Sequence, residues 1–211
     1  MQGKRFRFLR RDRTLSLPGK APYIGNMALL KIARMGHPVL IGKAKPVEDP
    51  TSPAVRQLIG DMVDTMVDAE GIGLAAPQVH RPLRLIVFLD ALDRDEAQDR
   101  RPVVLINPEI EPLEDASEQG WEGCLSIPGL RGPVPRHVRI GYRGFDAAGR
   151  TVEREATGLH ARVVQHEVDH LDGILFPMRM PDLRRLAFES ELKHWTAAAA
   201  DREDEDREDR P

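Results

Sequence analysis

The clearest pattern of apolar and polar positions lies in residues 52–71. Ser52-Pro53 is a typical helix start, with the serine as N-cap and the proline in the first turn, and Gly71 is a typical stop. Between them the apolar residues recur every three to four positions: Val55, Leu58, Ile59, Met62, Val63, Met66 and Val67. This spacing predicts an amphipathic helix whose apolar stripe, including its methionines, belongs to the core.

Further elements are predicted along the rest of the chain. Four segments have the pattern of strands: residues 83–89, 102–106, 138–145 and 151–157. Two more helices are predicted, one over residues 158–172 that ends at Gly173, and one over residues 182–199. Together these elements predict a single α+β domain. Its mixed or antiparallel β-sheets surround a central helix, with an N-terminal and a C-terminal helix in addition.

Composition narrows the class of protein. The chain has 211 residues, which suits one domain with a substantial core. Its single cysteine excludes an intramolecular disulfide and is typical of a reducing compartment. No segment approaches the roughly 18 apolar residues of a membrane span. A net charge of -3 argues against general nucleic-acid binding.

The strongest chemical signal is the run His166-Glu167-Val168-Asp169-His170. On a helix of about 3.6 residues per turn, histidines four positions apart lie on one face, where both imidazoles can bind a single divalent metal. The glutamate between them is placed to exchange a proton with metal-bound water. HExxH also occurs by chance in proteins that bind no metal, so a charged helix face with two incidental histidines is the alternative interpretation.

A catalytic metal site needs a third protein ligand, and the residues alone leave three sources open. The extended pattern HExxHxxGxxH would supply a histidine, but Phe176 occupies that position. A glutamate about twenty residues downstream, as in thermolysin-like peptidases, would be Glu189 or Glu191. The third source is Cys124, whose alternative role is that of a small buried apolar residue.

Three separated motifs resemble the bacterial-type peptide deformylase family. They occur in the family's order and with similar spacing, and the resemblance covers roughly residues 27–179. The resemblance implies that Cys124, His166 and His170 are the metal ligands. The motifs are Gly71-Ile72-Gly73-Leu74-Ala75-Ala76-Pro77-Gln78, Glu122-Gly123-Cys124-Leu125-Ser126 and Gln165-His166-Glu167-Val168-Asp169-His170.

The resemblance also implies catalytic and substrate-binding roles. Glu167 would be the general acid–base, and the Gln78 side chain and the Leu125 backbone N–H would donate to the oxyanion. Glycines in the first motif allow close approach of an extended peptide, which could pair with this segment as an added strand. Glu122 is either an outer acceptor for a metal-ligating histidine or a member of a surface ion pair. The implied substrate-binding residues are Gly71, Ile72, Gly73 and Arg131.

The implied function is removal of the N-formyl group from the N-terminal methionine of newly synthesised polypeptides, with release of formate. One cysteine and two histidines suit zinc by softness and geometry. The resemblance points instead to Fe2+, with Zn2+, Ni2+ or Co2+ as possible replacements. The alternatives are a thermolysin-like peptidase and a catalytically silent protein that holds peptide N-termini. The joint presence of Glu167, Gln78 and Cys124 argues against both.

The two ends differ in charge from the rest of the chain. Residues 1–26 carry seven Lys or Arg against one acid, and residues 201–211 carry seven acids against three arginines. Neither end shows apolar periodicity, so both are predicted to be disordered beside a catalytic domain of residues 27–200. Because the resemblance begins at Met27, the basic end is interpreted as an upstream extension rather than an organellar transit peptide or an RNA contact.

The expected partners follow from the implied reaction. They are nascent N-formylmethionyl polypeptides and, transiently, the ribosome, without DNA or a membrane. The expected location is the bacterial cytosol.

Overall fold

The computed structural model describes residues 28–90 and 101–195. In these residues, helix α1 spans Pro53–Asp68 and helix α2 spans Gly158–Leu171. The strands are β1 (Gly73–Ala75), β2 (Leu85–Leu89), β3 (Pro102–Pro112), β4 (Ser117–Cys124), β5 (Ile127–His137), β6 (Arg139–Phe145), β7 (Thr151–Thr157) and β8 (Ala187–Phe188). No helix among the described residues has the length and apolar character needed to cross a membrane.

The strands form two sheets in which every strand pairing is antiparallel. One sheet has five strands in the order β1-β2-β3-β6-β7, and the other has three in the order β4-β5-β8. Helix α2 contacts β1, β2, β6 and β7 of the first sheet and β5 of the second. The predicted α+β fold with a central helix is therefore confirmed.

Helix α1 forms as its sequence predicts. The Ser52 hydroxyl accepts a hydrogen bond from the Val55 backbone N–H at 3.3 Å, and Pro53 occupies the first turn. The buried stripe, which includes Ile59 and Met62, packs against apolar residues of β1 and β2. Burying one such side chain contributes about 1.5–3 kcal/mol, so this apolar face anchors α1 to the five-stranded sheet.

Helix α2 is bounded by two glycines with positive φ. Gly158 has a φ of +55° at the start of the helix, and Gly173 has a φ of +75° just beyond its end. A Cβ on Gly173 would overlap the backbone of Ile41, so this turn needs glycine for space as well as conformation. The apolar side of the helix packs under the five-stranded sheet through Val164, Val168 and Leu171. Its other side is free to face the second sheet.

Strands β4 and β5 were not predicted from the sequence. They pair over almost their whole lengths, from Ser117 opposite His137 to Gly123 opposite Arg131. Their sequences are rich in glycine and proline, which are rare in strands, and they contain no continuous apolar run like that of β2. Long-range pairing makes them strands, and it brings Cys124 beside α2.

The prediction of a helix from Asp182 is wrong for its first half. Residues 183–185 form a 3-10 turn capped by the Asp182 side chain, which accepts from the Arg184 N–H at 3.0 Å. β8 then pairs with β5, and a second 3-10 turn spans Glu189–Glu191. Residues 192–195 are helical, whereas residues 196–199 lie outside the described residues. Pairing with an existing strand outweighs local helix propensity here.

The predicted disorder of residues 1–26 and 201–211 also falls outside the described residues and stays a prediction.

Candidate metal centre and active site

Cys124, His166 and His170 meet in one cluster. Their potential ligand atoms all lie within 4.8 Å of one another. The Cys124 Sγ is 3.2 Å from His170 Nε2, and the two imidazole rings have centroids 5.1 Å apart. Helix α2 supplies both histidines from one face, and the end of β4 supplies the thiol. A soft thiolate and two imidazoles are a donor set suited to a divalent transition metal.

The other two candidates for the third ligand lie elsewhere. Phe176 is buried in an apolar cluster with Val134 and Leu175. Glu189 accepts a hydrogen bond from Arg131 at 2.9 Å, and Glu191 lies 3.7 Å from His194. In the part of the chain that the structure describes, the only group of three possible metal ligands is the one that contains Cys124.

Glu122 orients the first histidine. Its Oε2 lies 2.9 Å from His166 Nδ1, which directs Nε2 of the same ring toward the thiol side. The Glu122 side chain is only 4% exposed, so it is an outer acceptor for a candidate ligand rather than part of a surface pair. Burial alone would raise the pKa of Glu122, but hydrogen bonds from His166 and Arg136 lower this pKa to about 2. Glu122 is therefore an anion at neutral pH.

A buried ion network joins the three-stranded sheet to helix α2 beneath the histidines. Arg136 on β5 donates to both Glu122 oxygens, at 2.9 and 3.0 Å, and also to Asp169 on α2. Arg179 adds two further hydrogen bonds to Asp169, at 2.7 and 3.1 Å. Because both carboxylates are paired, the helix that carries the histidines is fixed to the hairpin that carries the cysteine.

Arg162 reinforces the same junction. Its guanidinium donates to Glu122 at 2.9 Å and to the backbone carbonyls of Gly120, Val134 and Glu118. A Cβ on Gly120 would overlap this guanidinium, so any larger residue at that point of β4 would displace Arg162. Sequence reasoning missed Arg136 and Arg162, because an arginine that satisfies a buried carboxylate has no local sequence signal.

The surroundings of the two histidines shift their pKa values in opposite directions. Burial lowers the pKa of His170 well below its usual value, and the neighbouring charge of His166 adds to this effect. Burial would also lower the pKa of His166, but hydrogen bonds with Cys124 and Glu122 raise it well above the usual value. A bound cation displaces such a proton, because metal ligation requires the neutral imidazole.

Glu167 points into a buried space without a hydrogen-bond partner for Oε2. Burial raises the pKa of this carboxyl to about 7. A side chain on Gly73 of β1 would overlap the Glu167 carboxylate, so the glycine leaves room for it. A carboxyl with a near-neutral pKa can accept and return a proton at physiological pH.

Gln78 is held with its amide nitrogen toward the thiol. The Ala75 N–H donates to Gln78 Oε1 at 2.8 Å, which fixes the orientation of the side chain. Its Nε2 then lies 3.2 Å from Ser126 Oγ and 3.5 Å from Cys124 Sγ. The buried amide is therefore a pre-oriented donor beside the cluster.

The remaining candidate residues surround the same place. Gly71 and Ile72 lead into β1, and a Cβ on Gly71 would come within 2.9 Å of the Leu125 side chain. Leu125 directly follows Cys124, so its backbone N–H lies next to the thiol-bearing residue. The Arg131 guanidinium covers Gly123, which directly precedes Cys124. All three motifs thus converge on one site.

Comparison with known proteins identifies similar chains. The polypeptide deformylase family profile matches residues 29–186. Peptide deformylase 2 of Ralstonia nicotianae is 52% identical over 161 residues, which are 74% of this chain and 90% of that protein. Peptide deformylase 1 of Bordetella pertussis shows the same identity over the same length and shares of the two chains.

Solved structures of similar chains agree with the fold. A peptide deformylase from Synechococcus elongatus in complex with actinonin has a TM-score of 0.66 at 42% identity, covering 74% of this chain and 81% of that one. A class I type b peptide deformylase from Acinetobacter baumannii with bound Met-Ala-Ser also has a TM-score of 0.66, at 37% identity, covering 73% of this chain and 99% of that one.

Proposed function

The chain belongs to the polypeptide deformylase family, and on that premise we propose that Cys124, His166 and His170 hold its catalytic metal while Glu167 transfers the proton. The protein is a metal-dependent hydrolase that removes the N-formyl group from nascent polypeptides. The observation that carries the assignment of residues is the cluster of one thiol and two imidazoles within 4.8 Å, with a buried carboxyl beside it.

The donor set fits a catalytic metal. Three protein ligands leave a fourth position open for water or substrate, as in other catalytic sites of this type. A divalent cation bound there would polarise the formyl carbonyl and lower the pKa of water at the open position. Glu122 holds the His166 ring in the required orientation, and the neutral form of His170 is the form that ligates.

Glu167 acts as the general base and then as the general acid. Its buried carboxyl has a pKa of about 7, so a large fraction is ionised at neutral pH and can take a proton from the attacking water. The protonated carboxyl then donates to the leaving amine nitrogen. Formate and a free N-terminus are the products. A general base of this kind contributes roughly 10²- to 10⁴-fold to the rate.

Two donors stabilise the oxyanion in this proposal. The Gln78 amide nitrogen is already oriented by the hydrogen bond from Ala75, so it pays little ordering entropy when substrate arrives. The backbone N–H of Leu125 adjoins the cysteine ligand in the chain. Loss of one such donor typically costs about 2.7–4 kcal/mol of barrier.

Substrate lies along the opening between β1 and the β4–β5 hairpin. The segment of Gly71, Ile72 and Gly73 provides backbone groups for an extended peptide, and Arg131, paired with Glu189, lies on the other wall. The peptidase alternative has no support, because Glu189 binds Arg131 and Glu191 lies beside His194, away from the cluster of Cys124, His166 and His170.

We propose Fe2+ as the physiological metal, with Zn2+, Ni2+ or Co2+ able to replace it. Thiolate and imidazole ligands accept all four ions, and availability rather than affinity usually decides which one is bound. We also propose that the protein acts in the cytosol and contacts the ribosome transiently, because formylated nascent chains emerge from the ribosome. The basic residues 1–26 would bind ribosomal phosphate in a salt-dependent manner.

One assay tests the proposal. The protein is purified without oxygen, its metal content is measured, and formate release from formyl-Met-Ala-Ser is followed. We expect turnover in proportion to bound metal, with loss on chelation and recovery on adding Fe2+. Protein that holds metal at full occupancy and releases no formate would contradict the assignment.

A further inference from the structure

Glu189 directly follows the short strand β8, which places it at the edge of the site. This strand pairs with β5, with Ala187 opposite Arg131 and Phe188 opposite Leu130. The chain leaves β8 directly into Glu189, whose Oε1 accepts a hydrogen bond from Arg131 Nη2 at 2.9 Å. Backbone pairing and a side-chain hydrogen bond therefore fix the same acid next to Arg131.

Arg131 in turn lies close to the candidate metal ligands. Its guanidinium packs over Gly123, where a side chain would overlap it, and Gly123 precedes the ligand Cys124. Consecutive Cα atoms are about 3.8 Å apart, so the guanidinium charge lies within roughly 10 Å of the thiol. A carboxylate at 2.9 Å from this guanidinium cancels most of its charge as seen from the open site.

Stability does not account for this ion pair. The Arg131 and Glu189 side chains are 39% and 57% exposed, and pairs so accessible to water contribute little to folding. Glu189 also lies beyond residues 29–186, the part of the chain that the family profile matches. The contact joins the C-terminal segment of this chain to β5.

We propose that Glu189 positions Arg131 over Gly123 and neutralises its charge, and so determines how the enzyme tolerates charge in the residues that follow formyl-methionine. This inference rests on the proposed function. With Glu189 present, a substrate carboxylate gains little from Arg131 and is repelled by the nearby acid. Without Glu189, Arg131 becomes an unpaired cation at the site and favours acidic substrates.

The test compares three capped peptides: formyl-Met-Ala-Glu-amide, formyl-Met-Ala-Gln-amide and formyl-Met-Ala-Lys-amide. The readout is the ratio of kcat/KM for the acidic peptide to kcat/KM for the basic one. Glu189→Gln should raise this ratio about two- to fivefold at low salt, the effect of one unit charge that acts at roughly 8–10 Å through a water-like dielectric on two peptides of opposite charge. The increase should largely vanish in about 0.5 M salt, where the Debye length is roughly 4 Å.

Glu191→Gln is the matched control. Glu191 lies two residues away in the same turn, its side chain is also 57% exposed, and the change in net charge is identical. It should change the ratio by less than about 1.5-fold, because Glu191 does not contact Arg131. Glu189→Asp retains the charge and should keep the ratio near that of the wild type. Each ratio comes from one preparation, so partial misfolding of a variant cancels.

The outcomes distinguish a failure of the role of Glu189 from a failure of the proposed function. An unchanged ratio in Glu189→Gln, or an equal change in Glu191→Gln, would overturn the role of Glu189 while leaving deformylation intact. Absence of formate release from the neutral peptide by the metal-loaded wild type would instead contradict the proposed function.

Discussion

Helices α1 and α2 have similar lengths, 16 and 14 residues, but only α2 buries several polar and charged side chains. The buried residues of α1 are apolar apart from Thr65, which donates to the Asp61 carbonyl of its own helix. Helix α2 buries Gln165, Glu167, Asp169 and His170 along with its apolar residues. The apolar helix holds the domain together, whereas the polar helix carries chemistry that is possible only because neighbouring elements satisfy its charges.

The difference shows how a buried polar helix is tolerated. Asp169 is paired with Arg136 and Arg179, and Gln165 exchanges hydrogen bonds with the backbone of His137. Among the buried side-chain atoms of α2 that the structure describes, Glu167 Oε2 and His170 Nδ1 lack a partner. One of these two residues is the proposed base and the other a proposed ligand. On α2, the unsatisfied groups thus coincide with the proposed site, whereas the third such atom of the described residues, His137 Nδ1, lies on β5.

The largest expected effect comes from removing the ligand that α2 does not supply. Cys124→Ala leaves two imidazoles on the helix and should cost most of the bound metal and essentially all formate release, because only three protein ligands are available. Elemental analysis after dialysis measures the loss. Full metal occupancy in this variant would show that another residue is the third ligand.

The second prediction concerns the ion pairs that Arg136 makes with Glu122 and Asp169. Arg136→Met leaves both carboxylates buried with fewer partners, and breaking such pairs costs about 3–5 kcal/mol of the free energy of unfolding. Metal affinity should fall as well, because Glu122 then holds His166 less firmly. Urea unfolding and metal titration measure the two effects. Unchanged metal affinity would mean that the network is only structural.

The matched change in α1 is Met62→Ala. Met62 is fully buried in the apolar cluster under β1 and β2, so truncation should cost about 2–5 kcal/mol of the free energy of unfolding. Metal affinity and kcat of the folded fraction should stay at wild-type values, because α1 contributes no ligand. A large drop in the metal affinity of Met62→Ala would show that α1 also affects the metal site.

Glu167→Gln separates chemistry from stability within α2. The amide keeps the shape but cannot accept the proton, so kcat should fall by at least about 10²-fold, equivalent to about 2.7 kcal/mol of barrier. The free energy of unfolding should not decrease, since one carboxylate oxygen has no partner in the wild type. Bound metal should stay near the wild-type level. Near-normal turnover would assign the proton transfer to another group.

The smallest effect is expected at the ends of the chain. A chain of residues 27–200 should match the full-length protein in thermal midpoint and in deformylation of a small formyl-Met peptide, because the omitted ends carry no motif and no apolar periodicity. Co-sedimentation with ribosomes at low salt can differ between the two. Unfolding of the shortened protein would show that the ends belong to the domain.

The sequence by itself determined the elements whose signals are local. Ser52-Pro53 and the apolar periodicity predict helix α1, and the spacing of His166 and His170 together with Gly173 predicts helix α2. The histidine pair follows from helical geometry alone, since positions four apart share a face. The three motifs together were sufficient to identify the family and the reaction, and they made Cys124 the proposed third ligand.

Only the tertiary structure decided how these parts meet. β4 and β5 exist because they pair with each other, and β8 forms where residues after Asp182 join β5 instead of continuing as a helix. Arg136, Arg162 and Glu189 gained their partners across 14 to 58 positions of sequence, distances over which no local pattern carries information. Periodicity reports how a segment folds against its own neighbours, whereas buried charge pairs depend on contacts that exist only once the chain has folded.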